Sequence, residues 1–328
     1  MARVQLTESS RLDKANPPSS NEHRVRRTIS MPLFSHERVP SQNNLRLTRM
    51  GSLPMPDCNA ALAQASDEFR WYVIGFVLLS VQGNVEVVER PGSGTLVTIN
   101  GMRGVLTAAH VVDALREKKE VGIVTFHASS KSLQKLMLPM DHVQYVQLGQ
   151  KPWSSNGPDL AFLTLPMNVA DSLGATNSFY NLSAKRAKAL NSEFPAGKHF
   201  SCIAGVVHER TITTPLPDIA ANKALFAALC EPGAVSNQRS EDGFDLMDFD
   251  AAPRDDGAGP RSYGGVSGAA LWRVYCEEDT EGEPTRMTKL WLHGVAFYEQ
   301  THDNRTPTIT CHGHISVFDK LLSKVALP

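Results

Sequence analysis

The chain has 328 residues, enough for two packed units at about 150 residues each, and 41% are hydrophobic against 20% charged, which excludes a wholly disordered protein. With 33 Lys and Arg against 34 Asp and Glu, the net charge is −1. That balance speaks against a nucleic-acid scaffold, whose phosphate contacts need a surplus of clustered cations.

In chain order, residues 1–66 come first and differ from the rest. They are rich in Ser, Pro, Asn and Arg, and residues 1–55 hold nine Lys/Arg against four Asp/Glu, a net of +5. Such a composition buries too little apolar area to offset chain entropy. It predicts a disordered arm, with a docking or regulatory role as the alternative to a plain solvated extension. The arm lacks the hydrophobic stretch of a signal peptide. The most apolar run, Trp71–Val81, is shorter than the ~18 residues that span a bilayer. Five cysteines without CxxC spacing support neither a disulfide framework nor a zinc ribbon. These features together predict a cytoplasmic protein with reduced thiols and no membrane or nucleic-acid partner.

From Phe69 the chain reads as short β-branched runs broken by Gly, Pro and Asn: VIGFVLLSVQ, GTLVTIN, RGVLTAAHVV, DHVQYVQL and DLAFLTL. Residues 168–190 are strand-poor, contain the helix formers SAKRAKAL and link two halves. HFSCIAGVV resumes the strands. PDIAANKALFAALCEPG, residues 217–233, predicts an inserted helix, with Asp218 near its start and Gly233 near its end. GFDLMDF, SGAALWRVYC, KLWLHGVAFYE and TITCHGHISVF are further strands, and FDKLLSKVAL has the spacing of a terminal helix. Two clusters of short strands with little helix between predict an all-β fold of two six-stranded antiparallel barrels. The first would span residues 67–185. The second would span 186–328 with the C-terminal helix.

Three segments carry chemistry together: a strand ending at His110, Asp159 opening an apolar strand, and Ser267 in a glycine-rich turn. A serine hydroxyl is a weak nucleophile until a base takes its proton. Imidazole titrates near neutrality and suits that role, and a carboxylate fixes its tautomer. Attack on a carbonyl builds charge on its oxygen, which backbone N–H groups in a tight turn can hold. Gly264, Gly265 and Gly268 free that turn, and the N–H groups of Gly265 and Ser267 are the candidate oxyanion donors.

TAAHVV at 107–112, DLAFLTL at 159–165 and GGVSGAAL at 264–271 resemble the histidine, aspartate and nucleophile motifs of trypsin-like (chymotrypsin-fold) serine proteases, closest in style to bacterial trypsin-like peptidase domains. The order His, Asp, Ser is that family's order, and the resemblance covers residues 69–328. It implies a peptidase acting on proteins or peptides with no metal or organic cofactor. It also implies that 291–299, with Phe297, pairs with substrate backbone. Arg261, six residues before Ser267, would then lie at the base of the primary specificity pocket and favour an acidic side chain. Where the family's commonest nucleophile motif is GDSGGP, this chain has Val266, Ala269 and Ala270. Losing that aspartate speaks against activation by a new N-terminus.

Asp113 and Asp141 are rivals to Asp159. Cys311, His312 and His314, with His302 upstream, suggest a metal only weakly, because no third ligand is fixed. Two further functions stay open: a catalytically silent protease fold used as a binding or signalling module, and a protease latent until a regulatory protein partner activates it.

Overall fold

The structure is a computed structural model and describes residues 2–5, 59–82, 85–126, 136–215, 222–252, 260–280, 282, 284–300 and 307–325. Of the arm expected at 1–66, residue 1 and residues 6–58 lie outside the described residues, as do Cys58 and His302. Within that arm, Ala2–Gln5 forms a strand, β1, and α1 (Asn59–Phe69) begins before the first barrel.

The first half contains β2 (Val73–Gln82), β3 (Val85–Glu89), β4 (Ser93–Ile99), β5 (Met102–Thr107), β6 (Glu120–Thr125), β7 (Leu136–Pro139), β8 (Gln144–Leu148), β9 (Leu160–Thr164) and β10 (Tyr180–Asn181). After the linker come β11 (His199–Val206), β12 (Ile212–Pro215), β13 (Asn222–Phe226), β14 (Ala228–Glu241), β15 (Phe244–Ala251), β16 (Ala270–Glu278), β17 (Pro284–Gln300) and β18 (Thr308–His312). The fold is all-β, built mainly on two curled antiparallel sheets, of which one closes into a barrel.

The halves differ in closure. The second is a closed barrel of six strands, β11-β14-β15-β18-β17-β16. The first runs β7-β6-β2-β4-β5-β9-β8, with β3 paired to β2 and β10 parallel to β4. The pairing of β3 follows from the length of β2. Its first residues pair with β4, its middle with β6 and its last with β3. β1, β12 and β13 form a separate three-stranded sheet.

Period-two alternation builds the first sheet. Ile74, Phe76 and Leu78 enter one apolar cluster, while Val73 and Val77 enter another. The same split separates Ala161 and Leu163 from Leu160 and Phe162 on β9. Successive strand residues point to opposite faces, so this sheet is buried on both. One face packs with Val111, Val112 and Leu115 of α2 (Ala109–Leu115) and with Val169 and Leu173 of α3 (Met167–Gly174). The other meets α1, Trp272 and Trp291 of the second barrel, and Phe318. A third cluster, with Ile203, Phe249, Val266 and Leu271, lies in the second barrel.

The linker forms α3 and then α4 (Arg186–Leu190), as its helix formers predict. The inserted helix expected over 217–233 is not found: residues 222–226 and 228–233 belong to β13 and β14. Helix propensities differ by only ~0–0.7 kcal/mol among ordinary residues. As a strand, β14 pairs with both β11 and β15 and removes two open edges from the barrel. The acidic stretch 241–250 makes the β14–β15 hairpin, with Asp242 and Gly243 both at positive φ in its turn. The terminal helix starts earlier than its apolar spacing suggests, covering residues 314–321 and closing in a π-helical stretch, Ser316–Leu321.

Candidate active site

His110 is the second residue of α2, directly after β5. Burial of Val111, Val112 and Leu115 anchors that helix and leaves the His110 side chain 27% exposed. Asp159 precedes β9 and its side chain is 2% exposed. Two bonds join them. His110 Nδ1 lies 2.6 Å from Asp159 Oδ2, and the His110 backbone N–H donates to Oδ1 at 2.9 Å. With Oδ2 accepting from Nδ1–H, the other ring nitrogen is left as a base. The Trp153 ring stands 6.2 Å from the imidazole. The rival carboxylates lie elsewhere: Asp113 pairs with Arg116 at 3.0 Å, and Asp141 is exposed beside His142.

A residue weighed from sequence only as a metal candidate supports Asp159 from behind. His312, at the end of β18 and fully buried, accepts the Asp159 backbone N–H on Nε2 at 2.9 Å. Phe297 stacks on its ring at 4.5 Å. Burial lowers the His312 pKa to about 4, against the opposing pull of Asp159 and Asp245. The ring is therefore neutral at pH 7 and carries its proton on Nδ1, which has no hydrogen-bond partner among the described residues. No group of three or more His, Cys, Asp or Glu residues placed to hold a metal occurs among the described residues.

Ser267 lies in the turn between Tyr263 and β16. Its carbonyl accepts from Ser93 N–H at 2.8 Å, and the Ser93 carbonyl accepts from Thr107 Oγ1 at 2.7 Å. Ser93 Oγ donates to the Gly265 carbonyl at 2.7 Å and accepts from Val206 N–H at 2.8 Å. One serine of the first sheet thus ties the Ser267 turn to the strand that precedes His110. Gly268, at φ +88°, fits because a Cβ there would lie 2.1 Å from Thr107 Oγ1. Gly92 separates the Ser267 carbonyl from the Val111 side chain, and a Cβ there would come within 2.7 Å and 2.6 Å of them. The serine turn and the histidine helix are therefore near neighbours across Gly92.

Within the turn, Gly264, Val266, Gly268 and Ala269 each donate their N–H to protein oxygens. The N–H groups of Gly265 and Ser267 make no such bond among the described residues. Two carboxylates hold the approach to the turn. Glu209 accepts from the N–H groups of Arg261 and Ser262 at 2.9 and 3.0 Å, and Glu299 accepts from Tyr263 N–H and Ser262 Oγ at 2.9 and 3.0 Å. Val266, where the family's aspartate would stand, is buried among Tyr263, Ala269 and Leu271. The His208 ring packs on Gly265 and bonds the Arg90 carbonyl through Nε2 at 2.5 Å.

Ser267 Oγ donates to the Phe297 carbonyl at 3.4 Å, and no hydrogen bond joins it to His110 among the described residues. The two residues expected to face substrate have different surroundings. The Phe297 side chain is buried on His312, so only its backbone is turned to Ser267. Arg261 is exposed, and its backbone is what the fold holds. Sequence reasoning missed His312, Ser93, Thr107, Glu209 and Glu299 as supports. Their partners are 14 to 172 positions away in the chain, so no local pattern marks them.

No helix among the described residues is long and apolar enough to cross a membrane. No protein-family model matches the chain, and no curated protein matches it in sequence. Similar solved structures include the tobacco vein mottling virus protease, at 10% identity and TM-score 0.36, covering 78% of this chain and 84% of that one. Another comes from work on aromatic interactions that drive coupled folding and binding of the intrinsically disordered Sesbania mosaic virus VPg protein. It matches at 11% identity and TM-score 0.36, covering 76% of this chain and 88% of that one.

Proposed function

We propose that this chain is a cytoplasmic serine endopeptidase of the trypsin-like kind, with residues 67–185 and 186–328 forming the two sides of its cleft. The observation that carries this reading is the 2.6 Å contact between His110 Nδ1 and a buried Asp159 carboxylate, with the Ser267 turn tied by Ser93 to the same strand pair. In the proposed mechanism Ser267 Oγ attacks a peptide carbonyl while His110 accepts its proton. Asp159 orients the ring and stabilises the imidazolium. The unpartnered N–H groups of Gly265 and Ser267 receive the oxyanion. His110 then protonates the leaving amine, and water attacks the acyl-enzyme by the same path. Every step draws on this chain's own groups. Purified protein should label covalently with a fluorophosphonate serine probe, and Ser267→Ala should not. Equal labelling of the two would overturn the assignment.

One observation favours a latent form of the same enzyme. The Ser267 hydroxyl proton is committed to the Phe297 carbonyl rather than to the imidazole, so the hydroxyl must give up that bond before it can attack. A regulatory protein or the N-terminal arm could supply the shift. Labelling that rises when cell lysate is added to the purified protein supports this form, and equal labelling with and without lysate rejects it.

A further inference from the structure

In the second half of the chain, two buried imidazole nitrogens, on His293 and His314, make no hydrogen bond among the described residues. Phe194, in the link after α4, and the second barrel line an open cavity of about 430 Å³, within the ~300–1,000 Å³ range of small-molecule sites. Arg239, Asp245, Arg273, His293 and His314 line it. Arg239 is spent on Asp248 at 3.0 Å. Arg273, on β16, is not: its guanidinium lies 4.7 Å from the centre of the Phe194 ring, and no carboxylate pairs with it among the described residues. Asp245 is already committed. Its carboxylate accepts from the N–H groups of Ile315 and Ser316 at 3.0 and 2.6 Å and from Ser316 Oγ at 2.7 Å, capping the last helix.

The two histidines complete the arrangement. His293, on β17, is 2% exposed, and its ring stacks with that of His314 at 5.9 Å. Neither Nδ1 has a hydrogen-bond partner, and the nearest carboxylate oxygen stands 3.7 Å from His314 Nδ1. Burial and the nearby Arg273 charge hold His293 far below the usual imidazole range, so it is neutral at pH 7 with one N–H to donate. Buried polar atoms are rarely left unpaired, and one that is calls for an explanation such as a bound ion.

We propose that this cavity binds a small phosphate monoester, with Arg273 and the two imidazoles taking the phosphate oxygens and Phe194 walling the organic group. A guanidinium fork alone satisfies a carboxylate. Three converging donor groups match the three terminal oxygens of a phosphate better, and the volume leaves room for the ester substituent. This site stands independently of the peptidase reading.

Calorimetric titration of the full chain with phenyl phosphate, inorganic phosphate and benzoate tests it. Phenyl phosphate should bind tightest, and benzoate at least about tenfold more weakly. A charge-assisted hydrogen bond is worth ~1.5–3 kcal/mol, so Arg273→Gln and His293→Gln should each weaken phenyl phosphate roughly tenfold or more. Arg286→Gln, an exposed arginine paired with Glu277, should change nothing. Circular dichroism checks the fold of each variant. If Arg273→Gln fails to fold, Arg273→Lys keeps the charge without the fork and should still weaken binding. Absence of phosphate binding to the parent, parity of benzoate with phenyl phosphate, or unchanged binding in a folded Arg273 variant would each overturn the proposal.

Discussion

The His110–Asp159 site and the Phe194 cavity each hold a buried histidine, yet they treat it in opposite ways. At the cleft, Asp159 takes two donors from His110 and gives its own N–H to His312. Ser93 and Thr107 lock the neighbouring backbone. Among these groups one buried atom, His312 Nδ1, is left over. In the cavity, His293 Nδ1 and His314 Nδ1 make no hydrogen bond among the described residues, beside an arginine that no described carboxylate pairs with. A satisfied buried network fixes geometry, whereas an unsatisfied one carries a desolvation cost that a ligand can relieve. The first pattern suits groups that must already be in position before a substrate arrives. The second suits groups completed by what they bind.

The sharpest way to separate the two regions is to remove the nucleophile. Ser267→Ala should cut peptidase activity by on the order of 10⁶-fold if the triad acts as a unit, while phenyl phosphate binding stays at the parental level. Activity close to that of the parent breaks the cleft side of the comparison. Asp159→Asn should cost about 10⁴-fold through the wrong imidazole tautomer with circular dichroism unchanged; loss of the fold instead would make Asp159 a structural residue.

His312 tests whether the cleft depends on its rear support. His312→Phe removes the acceptor of the Asp159 N–H and should destabilise the fold by ~1–3 kcal/mol, the cost of an unsatisfied buried donor, read from urea midpoints. It should also lower kcat more than it raises KM. A variant with parental stability and kcat would show that Phe297 packing alone places Asp159.

Acid sharpens the comparison further. Burial depresses the folded-state pKa of His312 to about 4 and pushes that of His293 lower still, against ~6.5 unfolded. The unfolded chain therefore takes up these protons first. The stability is complete above pH ~6.5 and declines as pH falls from there toward 4, by up to ~1.4 kcal/mol per pH unit for each group. Urea midpoints between pH 7 and 4.5 should show this, and His293→Gln should flatten the slope. An unchanged slope in that variant would mean His293 does not titrate with unfolding.

The smallest effect is expected at the carboxylate clamp on the serine turn. Glu299→Gln keeps the shape but weakens the charge-assisted bonds to Tyr263 and Ser262. It should cost about 1 kcal/mol of stability, measurable as a shift in urea midpoint, with the cavity unaffected.

Much of the fold was legible. β2 coincides with the VIGFVLLSVQ run, and β9 and β11 fall within the expected segments, because alternating burial leaves a period-two imprint on the chain. The helix expected over 217–233 failed where barrel closure outweighed the local preference of an Ala- and Leu-rich segment. His110, Asp159 and Ser267 could be singled out as candidates because acyl-transfer chemistry needs those residue types in recognisable local settings. His312 was not, because nothing local distinguishes a histidine that braces a carboxylate from one that merely fills a strand.

By itself, the order of residues determined that the chain is β-rich, that His110, Asp159 and Ser267 sit at strand ends or in a Gly-rich turn, and that an apolar Val266 stands where a carboxylate could have been. Only the tertiary structure decided that one sheet closes and the other carries extra strands, that Ser93 joins the serine turn to the first sheet, and that Arg273 has no anionic partner among the described residues. Strand periodicity and turn chemistry are properties of neighbours in sequence, so they can be read from it. Pairing, closure and the satisfaction of buried polar groups depend on segments scores of residues apart, and they take shape only when the chain packs.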